Sequence, residues 1–170
     1  MADTATPGGN LDLAATAGRA LLARRWRLVT AESCTGGGVA AALTDIPGSS
    51  QWFERGYVTY SNLAKQQDLG VSAAMLETHG AVSSAVVLEM AAGALRASGA
   101  DLALSVSGVA GPDGGSAAKP VGLVWFALAQ RTGQGHSEMR QFAGDRAAVR
   151  LAAVYRALEL INAELRGPAS

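Results

Sequence analysis

Three stretches of this sequence place hydroxyls, phenols or a lysine beside residues small enough for a ligand to approach the backbone. The first is Glu32-Ser33-Cys34-Thr35-Gly36-Gly37-Gly38. A serine there, followed by glycines that open a helix, could be a nucleophile whose developing oxyanion meets backbone N–H groups. The same residues also suit a plain strand-to-helix connector, because short glycine clusters are weak motifs. The second stretch, Tyr57 to Lys65, gathers Tyr57, Tyr60, Asn62 and Lys65 where a strand gives way to a helix. A lysine desolvated in a small pocket loses its proton near neutral pH and can act as general base for a neighbouring serine. A solvated lysine on a surface helix could not. The third stretch, Ser105 to Ser116, is again a strand exit into a glycine-rich loop, with Ser107 and free amides available to phosphate or ribose. Two such loops in one domain make a shared cleft more likely than either loop alone would, although each could still be a plain turn.

Other reactive side chains have simpler explanations. His79, before Gly80, suits a helix C-terminus, and His136 suits a solvated edge strand. Cys34 reads as a small buried thiol and ranks below Ser33 as a nucleophile. Asp113 and Lys119 could touch a ligand from a loop, whereas strand solvation and helix capping account equally well for Arg140, Asp145 and Arg146. No Cys/His cluster has zinc-ligand spacing, so neither a metal nor a cofactor is expected. The single cysteine excludes an intrachain disulfide framework and fits a reducing, cytoplasmic setting.

Fourteen basic residues balance fourteen acidic ones, and no Lys/Arg run exceeds Arg24-Arg25. That leaves no electrostatic footprint for a nucleic acid polymer or an anionic membrane, so any nucleotide partner should be small. Neither a signal-peptide pattern nor a long apolar span is present in the sequence.

The elements that must position these residues follow from period and punctuation. Residues 1–9 read as a flexible tail, and Asn10 as the cap of a helix from about Leu11 to Arg25. Arg27–Glu32 reads as a strand, Gly36–Leu43 as a helix and Gly56–Tyr60 as a second strand. Ser61 is expected to cap a short helix through Lys65, ended by Gly70; Ser72 caps another, and Ser83 or Ser84 a longer, buried one to Ala97. Asp101–Ser107 and the near-continuous apolar run Val121–Ala129 read as interior strands. His136–Phe142 pairs antiparallel with the latter, and Asp145 caps a last helix to about Leu165. This order predicts an α/β fold: a three-layer α/β/α sandwich around a mixed, mostly parallel sheet, forming one domain over residues 10–166. The apolar helical segments around Val86–Leu88 and Val149–Val154 could pack between subunits, which suggests a homo-oligomer, although such spacing usually marks core.

Taken together, Ala31–Gly37, Gly56–Asn62 with Lys65, and Ser107–Gly115 followed by Lys119–Gly122 resemble the CinA C-terminal domain family of nicotinamide-nucleotide amidohydrolases. The similarity runs in order from about residue 11 to 165 and includes Gly80–Ser83 and Phe142–Arg146. It implies hydrolysis of nicotinamide mononucleotide to nicotinic acid mononucleotide and ammonia in pyridine-nucleotide recycling, without a metal. One departure is Ser107, where many relatives carry threonine. The resemblance points to Ser33 as nucleophile, Lys65 as base and Tyr60 as relay, with the oxyanion facing amides near Thr35 and Gly36. Substrate contacts are expected from Thr35, Gly36, Gly37, Tyr57, Ser107, Gly108, Gly111, Gly114, Gly115 and Arg140, the phosphate lying on the Gly108–Gly115 loop with help from Arg140 or Lys119. Thr35 remains open as an alternative nucleophile. The competing function is a non-catalytic nucleotide-binding module, or a competence- or damage-related interaction module.

Overall fold

The computed structural model describes residues 7–133 and 135–167. Its strands are β1 (Leu28–Glu32), β2 (Phe53–Val58), β3 (Leu102–Gly108), β4 (Leu123–Gln130) and β5 (His136–Gln141), in the sheet order β2-β1-β3-β4-β5. β1 pairs in parallel with β2 and β3, whereas β3–β4 and β4–β5 are antiparallel. The neighbour pairs are thus evenly divided, yet four strands point one way and only β4 is reversed.

Helices α1 (Pro7–Arg24), α2 (Gly38–Thr44) and α6 (Arg146–Arg166) cover one face, and α3 (Asn62–Leu69), α4 (Ala73–His79) and α5 (Ser84–Ser98) cover the other. The period of two along the strands builds both cores. Leu28, Leu102, Leu104, Val106 and Phe126 face the α1–α2–α6 side, while Val29, Ala31, Ala103, Ala127 and Ala129 face α5. Small residues on the α5 side bring that helix close to the sheet. Within the apolar segments suspected of bridging subunits, Val86, Val87, Val149 and Val154 are buried in the chain's own cores, whereas Leu88 is partly buried and Leu151 is 37% exposed.

Two expected boundaries move. α1 begins at Pro7, not after a cap at Asn10, so Asn10 lies inside the helix and only residues 1–6 of the expected tail lie outside the described residues. Proline is tolerated in a helix's first turn. The cost of Gly8 and Gly9 is offset by burial of Ala14, Ala17 and Leu21 and by the Asn162 amide, which donates to the Leu13 carbonyl at 2.9 Å. β2 starts at Phe53 and ends at Val58 because it pairs along β1, Leu28 opposite Phe53 and, after a register shift that skips Glu54, Val29 opposite Arg55 through Glu32 opposite Val58. Its Glu54 and Arg55 read as loop in sequence because this is an edge strand with solvent beside it. The caps at Ser61, Ser72, Ser83 and Asp145 are as expected, each side chain accepting from a backbone N–H in the first turn of its helix.

The topology itself places a crevice. From β1 the chain crosses one face through α2 to β2, then returns over the other face through α3, α4 and α5 to β3 on β1's far side. The two connections diverge beyond the carboxyl ends of β1 and β3, the position where open α/β sheets bind ligands.

Candidate active site

Ser33 leaves the end of β1, and its N–H donates to the Val106 carbonyl of β3 at 2.9 Å, which anchors it at that crevice. The turn that follows is held by Glu32. Its fully buried carboxylate accepts from Thr35 Oγ1 at 2.6 Å, Val39 N at 3.0 Å and Ala40 N at 2.8 Å. Glu32 therefore ties off the otherwise orphaned amides at the start of α2, a role for which a carboxylate is well suited.

Lys65 comes from the other layer. Ser61 starts α3 by accepting from Ala64 N at 3.0 Å, which puts Lys65 one turn in from the helix start. Gly93 of α5 lets the end of α3 pack close against α5, because a Cβ there would collide with the Leu69 carbonyl. The result is a lysine with 1% of its surface exposed. Its Nζ lies 3.0 Å from Ser33 Oγ and donates to the Thr59 carbonyl at 2.7 Å. Burial lowers its pKa from 10.5 to about 8, a pull only partly opposed by nearby Cys34. Near neutral pH a usable fraction of Lys65 is a free amine. With one N–H given to Thr59, the amine lone pair can face the Ser33 hydroxyl.

Around this pair is a cavity of about 210 Å³ lined by Ser33, Cys34, Tyr60, Lys65, Ser107 and Gly108, with Asn62, Ala81, Val82, Ala110 and Arg146 completing the walls. Ser107, almost fully buried, donates to the Ala81 carbonyl at 2.8 Å and so ties the end of β3 to the loop before α5. Gly108 has no room for a side chain, since a Cβ would lie 2.7 Å from the Leu123 carbonyl oxygen of β4. Burial pushes the Cys34 thiol up to about 11, so it stays protonated and is a poor nucleophile at neutral pH.

The remaining expected site residues fall elsewhere. Thr35 is buried against Glu32 and does not line the cavity, which leaves Ser33 as the hydroxyl that faces Lys65. The Gly36 amide is committed to the Ser33 carbonyl at 3.0 Å, and Gly37 serves as the N-cap of α2. Among the described residues the Thr35 amide has no such backbone acceptor. Tyr57 packs into the core on the α5 side of the sheet. Gly111 is buried with its carbonyl bound to Arg146 at 2.9 Å, and Gly114 and Gly115 are exposed farther along the loop. Arg140 is on β5 and pairs with Glu138 at 2.7 Å. The Tyr60 hydroxyl accepts from Arg146 at 2.9 Å, and no bond joins it to Lys65 or Ser33 among the described residues.

Asn62 and Arg146 are the residues that sequence reasoning undervalued. Asn62 stands three residues before Lys65 on α3, so helical spacing alone would have put both on one face. Arg146 follows the Asp145 cap and was accounted for by it.

A larger cavity, about 1180 Å³, lies between α4, α5 and the β4–β5 turn. Its walls include Leu88, Ala92 and Leu95, and its serines bond to the Gly80 carbonyl and to Ser137, not to a base. Size alone would have selected the wrong place. Among the described residues no group of three or more His, Cys, Asp and Glu side chains could hold a metal ion, and no helix is long and apolar enough to cross a membrane.

Comparison with known proteins gives concordant results. The CinA C-terminal domain family matches residues 10–165. The nicotinamide-nucleotide amidohydrolase PncC of Enterobacter agglomerans is 58% identical over 148 residues, covering 87% of this chain and 90% of that protein. The PncC of Escherichia coli strain K12 is 57% identical over 151 residues, covering 89% and 92%. The crystal structure of competence/damage inducible protein CihA from Agrobacterium tumefaciens superposes with a TM-score of 0.89 at 46% identity, covering 94% of this chain and 96% of that one. A competence-damaged protein (CinA) superfamily protein from Klebsiella pneumoniae superposes with a TM-score of 0.89 at 44% identity, covering 92% and 98%.

Proposed function

The chain belongs to the CinA C-terminal domain family, and from that premise we propose that it is a nicotinamide-nucleotide amidohydrolase, hydrolysing nicotinamide mononucleotide to nicotinic acid mononucleotide and ammonia in pyridine-nucleotide recycling. The observation that carries this reading is the buried Lys65 amine 3.0 Å from Ser33 Oγ, in a chain 57% to 58% identical to proteins named for that reaction.

Ser33 Oγ attacks the carboxamide carbon while its proton passes to the neutral Lys65 amine. The tetrahedral intermediate collapses as Lys65 returns that proton to the leaving nitrogen. Ammonia departs and an ester to Ser33 remains. Water then attacks the ester, giving a proton to Lys65, and Ser33 Oγ recovers a proton as the carboxylic acid leaves. Gly36 is excluded from the role of oxyanion donor by its turn bond. Tyr60, bonded to Arg146, acts as a wall for the pyridine ring in place of a proton relay. Ser107 and Gly108 also line the cavity.

The domain is taken to span residues 10–166, supported by one sheet that carries both helical layers. A cytoplasmic setting is supported by the single cysteine, Cys34, which is free and buried. Self-association is supported by the exposed edge strand β2 and by Val58, Tyr60 and Leu63, which are 50%, 58% and 60% exposed beside the cleft; sedimentation velocity measures it.

The decisive experiment follows ammonia release from nicotinamide mononucleotide by purified protein with a chelator present. Wild type should release it, and Ser33→Ala should lose about 10³-fold or more of kcat while keeping its circular dichroism spectrum. Nucleotide binding without ammonia release would replace the enzyme with a binding module.

A further inference from the structure

Helix α5 is apolar on both of its sides. Val86, Val87, Met90, Ala91 and Ala94 are buried in the chain's own core. The side turned away from that core should then be polar, as on most surface helices. Instead Ala85, Leu88, Ala92, Leu95 and the C-cap Gly99 recur there at alternating spacings of three and four residues. That spacing is the seam along which two helices pair. None of the five is fully buried, and together they floor the groove of about 1180 Å³, between α4 at Met75 and His79 and the β4–β5 turn at Gly135.

Two charges flank the seam on one side. Glu89 and Arg96 each follow a leucine of the seam, and both line the groove. Neither forms an ion pair among the described residues. Glu89 accepts from Ser72 N at 2.9 Å through one oxygen, and Arg96 makes a long bond of 3.4 Å to the Leu69 carbonyl. Charges beside such a seam select the partner and its direction.

A second copy of this chain has what the groove lacks. In a parallel pair of α5 helices, Glu89 would stand beside the partner's Glu89, and like charges would oppose contact. Turned antiparallel about a twofold axis, Leu95 meets the partner's Ala92 and Leu88 meets the partner's Gly99. Glu89 then comes within side-chain reach of the partner's Arg96, once on each side of the axis. Large faces small at every level, as interdigitation requires. Gly99 also has room beside it, because a Cβ built there would meet no atom within 4 Å.

We propose that α5 is a self-docking face, on which a second copy packs its own α5 antiparallel with two reciprocal Glu89–Arg96 ion pairs. This deepens the self-association reading by adding a face to the β2 edge. It does not depend on the amidohydrolase reading, since none of these residues lines the Ser33 cavity.

Sedimentation velocity on the full chain tests it. Arg96→Glu and Glu89→Lys each set like charges against one another at both pairs, and each alone should raise the dimer dissociation constant about 10- to 100-fold. Mixed in equal amounts, the two variants are complementary at both pairs and should associate with an affinity near that of wild type. Damage to the helix itself would not be repaired by a second damaged chain. Wild-type association in both single variants, or a mixture as weak as its components, would overturn the proposal. A dimer dispersed by Leu63→Lys yet untouched by both α5 variants would leave self-association standing on the β2 side and remove the α5 face alone. A wild type that is monomeric at every attainable concentration would remove both. Should Glu89→Lys fail to fold for want of its bond to the Ser72 amide, Arg96→Glu decides, with an unchanged dissociation constant counting against the α5 face.

Discussion

Among the described residues, Glu32 and Lys65 are the two charged side chains with 1% or less of their surface exposed, and they are buried to opposite ends. Glu32 is saturated: one hydroxyl and two helix amides donate to its carboxylate within 3.0 Å. Lys65 is left short, with a carbonyl on one side and only the Ser33 hydroxyl on the other. A buried charge that is fully hydrogen-bonded holds structure, whereas one that lacks a counter-charge shifts its protonation and becomes reactive. The difference separates the residue that shapes the Ser33 turn from the residue that can take its proton.

The largest effect comes from removing the unsatisfied partner. Lys65→Met should lower kcat/KM for ammonia release by roughly 10²- to 10⁴-fold, the usual weight of general base catalysis, with a circular dichroism spectrum like wild type. In wild type, the kcat/KM profile should climb with pH through an apparent pKa near 8 as the amine loses its proton. A profile flat from pH 6 to 9 would remove Lys65 as the base.

The same shift predicts a stability signature. The unfolded chain keeps the Lys65 proton up to about 10.5, while the folded chain releases it near 8. Between those values the unfolded state binds more protons, so wild-type stability rises with pH, and the penalty for burying the cation is complete below that window. Lys65→Met lacks this contribution. Chemical denaturation at pH 7 and at pH 10 should therefore show wild type gaining on the variant at the higher pH.

Breaking the saturated charge should do the reverse, costing fold before chemistry. Glu32→Ala leaves two buried amides and a hydroxyl without an acceptor and should destabilise by about 3 kcal/mol, read as a fall in Tm of roughly 6–12 °C. If Glu32→Ala instead abolished activity with Tm unchanged, the division between the two residues would collapse. The smallest effect is expected at Ser61, whose cap starts the helix that carries Lys65: Ser61→Ala should cost about 1 kcal/mol in a denaturant titration.

Much of this was legible in the chain. The caps at Ser61, Ser72, Ser83 and Asp145 stand where local hydrogen-bonding chemistry puts them, and the terminators Gly70 and Gly99 have the left-handed φ of 67° and 68° that glycine tolerates. Alternation of helices and strands was enough for the three layers, because each amphipathic element has to bury its apolar side against another. What failed was local in a different way. Polar Glu54 and Arg55 concealed the start of β2, and two glycines concealed the start of α1, because pairing with β1 and packing of Ala14, Ala17 and Leu21 overrode propensity.

For the site, sequence alone determined the cast: a serine at a strand exit, a lysine one turn into a helix, a second strand exit with Ser107 and Gly108. Residue type, spacing and capping are short-range matters, and the chain carries them openly. Only the tertiary structure decided which of them meet. It put Ser33 and Lys65, 32 residues apart, at 3.0 Å, turned Thr35 inward to Glu32, sent Tyr57 to the core and Arg140 to the edge strand, and brought Arg146 from 86 residues away to Tyr60. These outcomes depend on which way the chain crosses the sheet after β1 and on how closely α3 can lie over Gly93. Burial, and with it the pKa of Lys65, exists only once those layers have closed.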